Sequence, residues 1–332
     1  MPRKTYKKII VTDELLQQIN PENKKLVERF LKEKGTRTSD GTIKNYTSCA
    51  NIFFVWNLLH NSNKHFTEIK KLDFADFFSF STNELRWGSS RNNGTRSFLS
   101  SLSNFIEKFY DEEYPTFRNV VLKTIESIPK EFTREKTILS TEQVESLLRH
   151  LSEIDSQKAC WVALAAYSGA RFSELLRFTT DMLDENHTAF GDLFMETTRK
   201  IRTKGRGKTG KLLSKYILKE QFLPYYRAWL LDREKIISAN KLEDHKSLFV
   251  RDDGSPAMDG TIRAWFPSFE KFLGVSVYPH AFRHFLVTEF SKKNIPPALI
   301  KDIVGWSNIV MVEHYNDLEA KDMQWKELDN LK

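Results

Sequence analysis

The chain has 332 residues, enough on the usual domain size for two units, each with its own core. A hydrophobic fraction of 40% beside 29% charged residues is that of a soluble globular protein, and no apolar run approaches the roughly 20 residues that cross a bilayer. A net charge of +7 points to a polyanionic partner, whereas two cysteines in different halves, Cys49 and Cys160, exclude a cysteine-built zinc site and read as small buried apolar residues.

Residues 1–20 read as a basic arm with a short apolar start at Ile9-Ile10-Val11; no signal-peptide segment follows, so a cytoplasmic protein is expected. From Pro21 the pattern turns helical, with Leu26, Phe30 and Leu31 on one face before Gly35 stops the run. Ser39-Asp40-Gly41 opens a second helix, whose apolar face is Ile43, Tyr46, Cys49, Ala50, Phe53 and Phe54. A polar break at Asn61-Ser62-Asn63 precedes a short helix from about Phe74 to Phe80 and a loop at Gly88-Ser89-Ser90. A helix over 95–110 then turns Phe98, Leu99, Leu102, Phe105 and Ile106 inward. Residues 21–126 are expected to form a compact helical domain, and the charged, Pro-containing stretch 127–138 a linker.

The second domain, 139–332, opens on a capping box, Ser140-Thr141-Glu142-Gln143, ahead of Val144, Leu147, Leu148 and Leu151 at helical spacing. A helix from Lys158 to Tyr167 ends at Gly169, the usual left-handed cap residue. Strand-like segments at Ala189–Met195 and Leu212–Leu218 flank a hairpin, and the remainder reads mostly as helix. The fold class is therefore mostly α with a small β-hairpin or sheet. Charge is uneven: residues 1–138 carry 23 Lys and Arg against 17 Asp and Glu, and the rest is nearly neutral. Within that neutral half, residues 199–215 hold eight bases and no acid. Such a run suits contact with a phosphate backbone, through Arg199, Lys200, Arg202, Lys204, Arg206 and Lys211; a solvated loop or localisation signal is the alternative.

Tyr278-Pro279-His280-Ala281-Phe282-Arg283-His284 puts His280 and Arg283 about one helical turn apart on one face. Gly305-Trp306 follows, and Tyr315 comes nine residues after Trp306. Upstream, Arg171 stands just after Gly169, with Glu174 about one helical turn on. A phosphodiester's charge must be offset before a nucleophile approaches, and the forked guanidiniums of Arg171 and Arg283 can clamp its nonbridging oxygens and stabilise a pentacoordinate transition state. Tyr315, a poor nucleophile at an ordinary pKa of about 10, needs a proton acceptor and a positive field, which His280 and the arginines can supply. The leaving 5′ oxygen needs a proton, and a lysine of the basic hairpin is the natural donor. No carboxylate cluster suggests a metal. Singly, Tyr315 and Trp306 read as packing aromatics, Arg171 as a salt-bridge partner of Glu174, and His280 as a turn or core histidine. Their joint arrangement favours chemistry.

That arrangement resembles the tyrosine recombinase (phage integrase) family over nearly the whole chain. Gly169-Ala170-Arg171-Phe172-Ser173-Glu174-Leu175-Leu176 looks like the first arginine motif, with Glu174 in its supporting acidic place. His280-Ala281-Phe282-Arg283-His284 is similar to the second, Val304-Gly305-Trp306 fits the Gly-His/Trp position, and Tyr315 stands at the nucleophile's spacing. Trp306 occupies a place where many members carry His; an indole donates a hydrogen bond but shuttles no proton. Lys204, Lys208 and Lys211 all lie near the hairpin turn, and Lys208-Thr209-Gly210 is similar to a turn found in part of the family, which favours Lys208.

The resemblance implies a helical core-binding domain joined to an α+β catalytic domain. It also implies a site-specific DNA recombinase, or integrase, that cuts and rejoins strands through a 3′-phosphotyrosyl intermediate. Its site would be Arg171, Glu174, Lys208, His280, Arg283, Trp306 and Tyr315, with no cofactor or metal. Implied partners are double-stranded DNA, further copies in a tetramer on DNA, and accessory DNA-bending or directionality proteins, with the bound protein at the nucleoid. The tail, 316–332, either packs on a neighbouring protomer or folds back on its own domain. Two rivals stay open: a type IB topoisomerase-like relaxing enzyme and a catalytically silent DNA-binding protein of the same fold. The helical unit at 21–126 favours a recombinase over the first, and the complete residue set argues against the second.

Overall fold

The computed structural model describes residues 10–129, 137–205, 207–306 and 308. They divide into two compact units: residues 10–129, with which the turn residues 205 and 207–210 group, and residues 137–204, 211–306 and 308. Residues 130–136, within the expected linker, lie outside the described residues.

The first unit contains α1 (Asp13–Gln18), α2 (Pro21–Gly35), α3 (Asp40–His60), α4 (Lys71–Asn83), α5 (Ser89–Phe109) and α6 (Val121–Thr124). The stretch expected as a basic arm is folded from its apolar residues onward: Thr12 caps α1 by accepting from the Leu15 N–H, and Val11, Leu15 and Leu16 pack on the core. Asn20 and Pro21 start α2, and Ser39 caps α3. At the end of α3, Ser62 and Asn63 adopt positive φ and reverse the chain, and Asn63 Oδ1 accepts from the Asn20 N–H at 3.0 Å. Helix α4 is longer than its apolar stretch because Asp73 closes its first turn, accepting from the Lys70 N–H at 2.7 Å.

Helix α5 starts at Ser89, so the expected loop Gly88-Ser89-Ser90 is its cap and first residues. Its first turns carry buried polar groups in place of apolar ones. Asn92 accepts from the Ser81 hydroxyl at 2.7 Å and donates to Thr82 at 3.2 Å. The helices close on an aromatic core in which Phe30, Phe53, Phe66, Phe77 and Phe98 have no exposed surface. Phe53 meets Phe77 edge-on at 5.0 Å and Phe30 meets Phe98 at 5.9 Å, the offset that ring quadrupoles prefer.

The second unit opens with α7 (Thr141–Ile154), α8 (Ser156–Ser168) and the single turn α9 (Phe172–Leu175). Five short strands follow, β1 (Thr188–Ala189), β2 (Phe194–Glu196), β3 (Ile201–Thr203), β4 (Lys211–Leu213) and β5 (Tyr216–Leu218). Then come α10 (Lys219–Ala239), α11 (Asp259–Arg263), α12 (Phe266–Leu273), α13 (Pro279–Lys292) and α14 (Pro297–Val304). The capping box closes α7 reciprocally: Ser140 Oγ accepts from the Gln143 N–H and Gln143 Oε1 accepts from the Ser140 N–H. Helix α8 is apolar nearly all round, as a helix enclosed by others must be, and packs on α7, α10 and α13. Its Trp161 sits edge-on to Phe172, Phe266 and Phe282, so one ring ties α9, α12 and α13 together.

The strands differ from the single hairpin expected over 189–195 and 212–218. Phe190, Gly191 and Asp192 all take positive φ and break the first segment into the β1–β2 turn. Strand β2 then pairs antiparallel with β1 and with β5, Met195 opposite Ile217, while β3 pairs with β4, Arg202 opposite Leu212. The acid-free run therefore spans the β3–β4 hairpin, and its last lysine, Lys215, falls beyond it. Phe53→Ala is expected to cost about 3–5 kcal/mol in urea unfolding of the full chain, the usual loss for a fully buried phenyl ring. A loss under about 1 kcal/mol would mean that the aromatic cluster closes around the gap.

Candidate active site

The site forms where α8 ends, α9 begins and the first turn of α13 comes beside them. Gly169 caps α8 in the left-handed region at φ +57°, and a Cβ there would meet Leu286 Cδ2 at 2.9 Å and Val304 Cγ1 at 3.0 Å. Only glycine lets the chain turn this tightly against α13 and α14. The turn aims the Gly169 carbonyl at Arg283, whose Nη1 donates to it at 2.5 Å across 114 residues of sequence. Two residues later Arg171 caps α9. Its backbone N–H donates to Glu174 Oε2 at 3.0 Å and its Nη1 to Oε1 at 2.9 Å.

Glu174 has no exposed surface, and Lys215 Nζ lies 2.7 Å from its Oε2 with only 1% of the lysine side chain exposed. Burial pushes the Glu174 carboxyl up, but Lys215 and Arg171 outweigh burial and hold it below its ordinary range. The carboxylate is thus ionised and gripped from two sides. Arg283 is buried, and its guanidinium lies 4.9 Å from the centroid of the Trp306 ring, a cation–π contact. Trp306 also packs on the small apolar cluster of α13 and α14. Arg171 keeps 21% of its side chain exposed, which leaves it accessible to an anion from solvent.

His280 is the second residue of α13, with Pro279 ahead of it in the first turn. Its pKa is lowered from the ordinary 6.5 by the protein packed around it first, then by Arg283 and Arg171, with Lys204 adding and Glu174 opposing. The positive N-terminal end of α13 acts in the same direction. The neutral imidazole is therefore the form that this cluster favours at pH 7. The structure brings together Arg171, Glu174, His280, Arg283 and Trp306.

Lys208 lies on the exposed β3–β4 turn, whereas Lys204, just after β3, is a hairpin lysine whose charge reaches His280. Arg199 is held by Asp181 at 2.6 Å, and Lys200, Arg202 and Lys211 are exposed along the hairpin. Tyr315, Arg206 and the tail after Asn308 lie outside the described residues. In the sequence Lys215 reads only as part of the basic run. The signal that marks it is local: it stands two residues before the buried Ile217, on the same inward side of an extended chain. Among the described residues no group of His, Cys, Asp or Glu is arranged to hold a metal ion, and no helix is long and apolar enough to cross a membrane.

The sequence pattern of the phage integrase family matches residues 137–322, and the chain belongs to that family. No curated protein matches the chain significantly in sequence. Among solved structures, the Tn1549 transposon integrase in complex with circular intermediate DNA is similar at 17% identity and a TM-score of 0.64, covering 88% of this chain and 94% of that one. The XerH site-specific recombinase bound to palindromic difH substrate, a post-cleavage complex, is similar at 15% identity and 0.67, covering 91% and 94%. A lambda integrase dimer bound to a COC′ core site is similar at 15% identity and 0.58, covering 92% and 81%. At these identities the likeness is one of fold. Both units of the tyrosine recombinase architecture are present, the helical one and the mixed catalytic one.

Gly169→Ala tests the turn on which the site is built. The added methyl must displace Leu286 or Val304, and a loss of roughly 1–3 kcal/mol in thermal or urea unfolding is expected. An unchanged melting temperature would show that α13 and α14 yield without cost.

Proposed function

We propose that this chain cuts and rejoins double-stranded DNA at specific sites through a covalent 3′-phosphotyrosyl intermediate on Tyr315. The observation that carries the reading is the cluster itself, in which Arg171, Arg283 and His280 converge around one buried carboxylate in a chain of the phage integrase family. The two guanidiniums bind the nonbridging oxygens of the scissile diester. The Tyr315 oxygen attacks phosphorus as its proton passes to the neutral His280, and the P–O5′ bond breaks. The departing 5′ oxygen takes a proton from a hairpin lysine. Lys204, whose charge reaches His280, suits that role better than Lys208. Because the phosphotyrosyl ester keeps the diester's energy, a 5′-hydroxyl from another strand reverses the step without ATP.

The exposed bases of the β3–β4 hairpin, Lys200, Arg202, Lys204 and Lys211, contact the phosphate backbone on this reading. Exchange between two duplexes requires a cleaving site on each strand, hence four copies assembled on DNA. Accessory proteins that bend DNA or set direction belong to the same proposal.

Tyr315→Phe is expected to bind its DNA site within about twofold of wild type yet to form no covalent complex on a nicked suicide duplex; an undiminished adduct would remove Tyr315 from the nucleophile's place. The His280 shift fixes a second expectation. A histidine whose pKa is lowered acts as a base above that pKa and loses the capacity as pH falls through it, so the acid limb of cleavage should lie below pH 6.5. Single-turnover cleavage measured from pH 5 to 8 should show that limb in wild type and lack it in His280→Ala. A limb above pH 6.5 would mean that another group accepts the proton.

A further inference from the structure

The buried lysine that the cleavage chemistry above does not use is Lys215. It is fixed before its side chain begins: its N–H donates to Thr197 Oγ1 at 3.0 Å, and its carbonyl accepts from the Thr197 N–H at 3.0 Å. The side chain runs inward, parallel to that of Ile217, and ends beside Glu174 Oε2 at 2.7 Å. Its Nζ is buried, and its contact with Glu174 is an ion pair. On its other side is Gly305, where a Cβ would stand 3.3 Å from the ammonium nitrogen. Lys215 therefore lies between the carboxylate that grips Arg171 and the residue that leads into Trp306.

A lone ion pair for structure's sake is an expensive use of a buried lysine, and a leucine or methionine would pack here without it. The charges around it give another reason. Those that face Lys215 are Glu174 on α9, Arg171 at the cap of α9 and Arg283 on α13; they also face His280. With Lys215 protonated, three cations stand against one carboxylate, a net charge of +2. A phosphodiester brings one negative charge, and the attacking oxygen adds more as its proton leaves for His280. The pentacoordinate transition state concentrates that charge on its oxygens, and among the groups charged before attack Lys215 raises the cluster from +1 to +2.

We propose that Lys215 is a further positioning residue of the strand-cleavage site, holding Glu174 against Arg171 and raising the positive charge that the buried cluster turns on the transition state. It acts through Glu174 and through its field. The proposal rests on the reading that Tyr315 attacks a scissile phosphate, and wild-type protein tests that reading in the same assay.

Lys215→Met keeps the volume and removes the charge. On a nicked suicide duplex its single-turnover rate of covalent adduct formation is expected to fall at least tenfold, while DNA affinity stays within twofold. Where the scissile phosphate is replaced by an uncharged methylphosphonate, the defect relative to wild type should shrink to under threefold, because there is less charge to offset. A merely structural fault slows both substrates alike, and that result would overturn the proposal. Because Lys215→Met strands a buried carboxylate, Lys215→Met with Glu174→Gln is made beside it. The double variant removes the stranded carboxylate and returns the net charge to +2 but leaves Arg171 without its anchor; it should melt nearer wild type than the single variant and form adduct faster than the single variant yet more slowly than wild type. Wild-type rates in either variant overturn the role of Lys215 alone; no adduct from wild-type protein overturns the reading beneath it.

Discussion

The site depends on one buried carboxylate. Glu174 has no exposed surface, and its two oxygens are shared among the Arg171 guanidinium, the Arg171 backbone N–H and the Lys215 ammonium. Breaking such a group leaves a stranded charge, typically at a cost of about 3–5 kcal/mol, so each partner is held by the others. The consequence is geometric. Arginine has a long side chain with four free torsions, and a guanidinium that must meet a phosphate at a fixed angle needs an anchor that does not move. Glu174 provides it, because α9 is a single turn whose capping residue is Arg171 itself. Main chain and side chain of the same residue grip the same carboxylate.

The second arginine is positioned by a different device. Arg283 donates to the Gly169 carbonyl and lies over the Trp306 ring, so one contact comes from the end of α8 and the other from the segment after α14. Helix α8 carries no reacting group, yet its terminus sets the spacing of both arginines, one through its cap carbonyl and one through the turn that follows. This explains why the helix is apolar on every side. It is the post against which α7, α10 and α13 are braced, and Trp161 on it carries α9 and α13 through Phe172 and Phe282.

Much of this was legible in the sequence where local rules decide. Ser140 with Gln143 announces a helix start, Gly169 a left-handed cap, and His280 with Arg283 a shared face; all three take that form. The failures have a common cause, which is that burial and periodicity were read from apolar residues. Helix α5 begins on Ser89 because Asn92 is buried through hydrogen bonds, which leave no apolar mark. The segment 189–195 reads as one strand because nothing in Phe190 or Asp192 signals a left-handed backbone. Lys215 reads as one of its basic neighbours, since a charge without a partner in view belongs on the surface, and its partner is 41 residues upstream at Glu174.

Trp306 stands where an imidazole is common in the family, and its contact with Arg283 indicates what the replacement changes. An indole face attracts a guanidinium and excludes water from one side of it, but it neither accepts nor delivers a proton. The contribution of this position is therefore steady charge positioning rather than titration. On the proposed reading, proton traffic then falls on the groups that remain, His280 at the head of α13 and a lysine on the hairpin. On that reading, the cationic crowd that would hold a phosphate also depresses His280, so the field that binds the anion is the field that keeps its proton acceptor neutral. Binding and base strength are linked here by construction: a change that adds positive charge to the pocket tightens its hold on phosphate while weakening His280 as a base. The buried Glu174 bears on the balance, since it opposes the lowering.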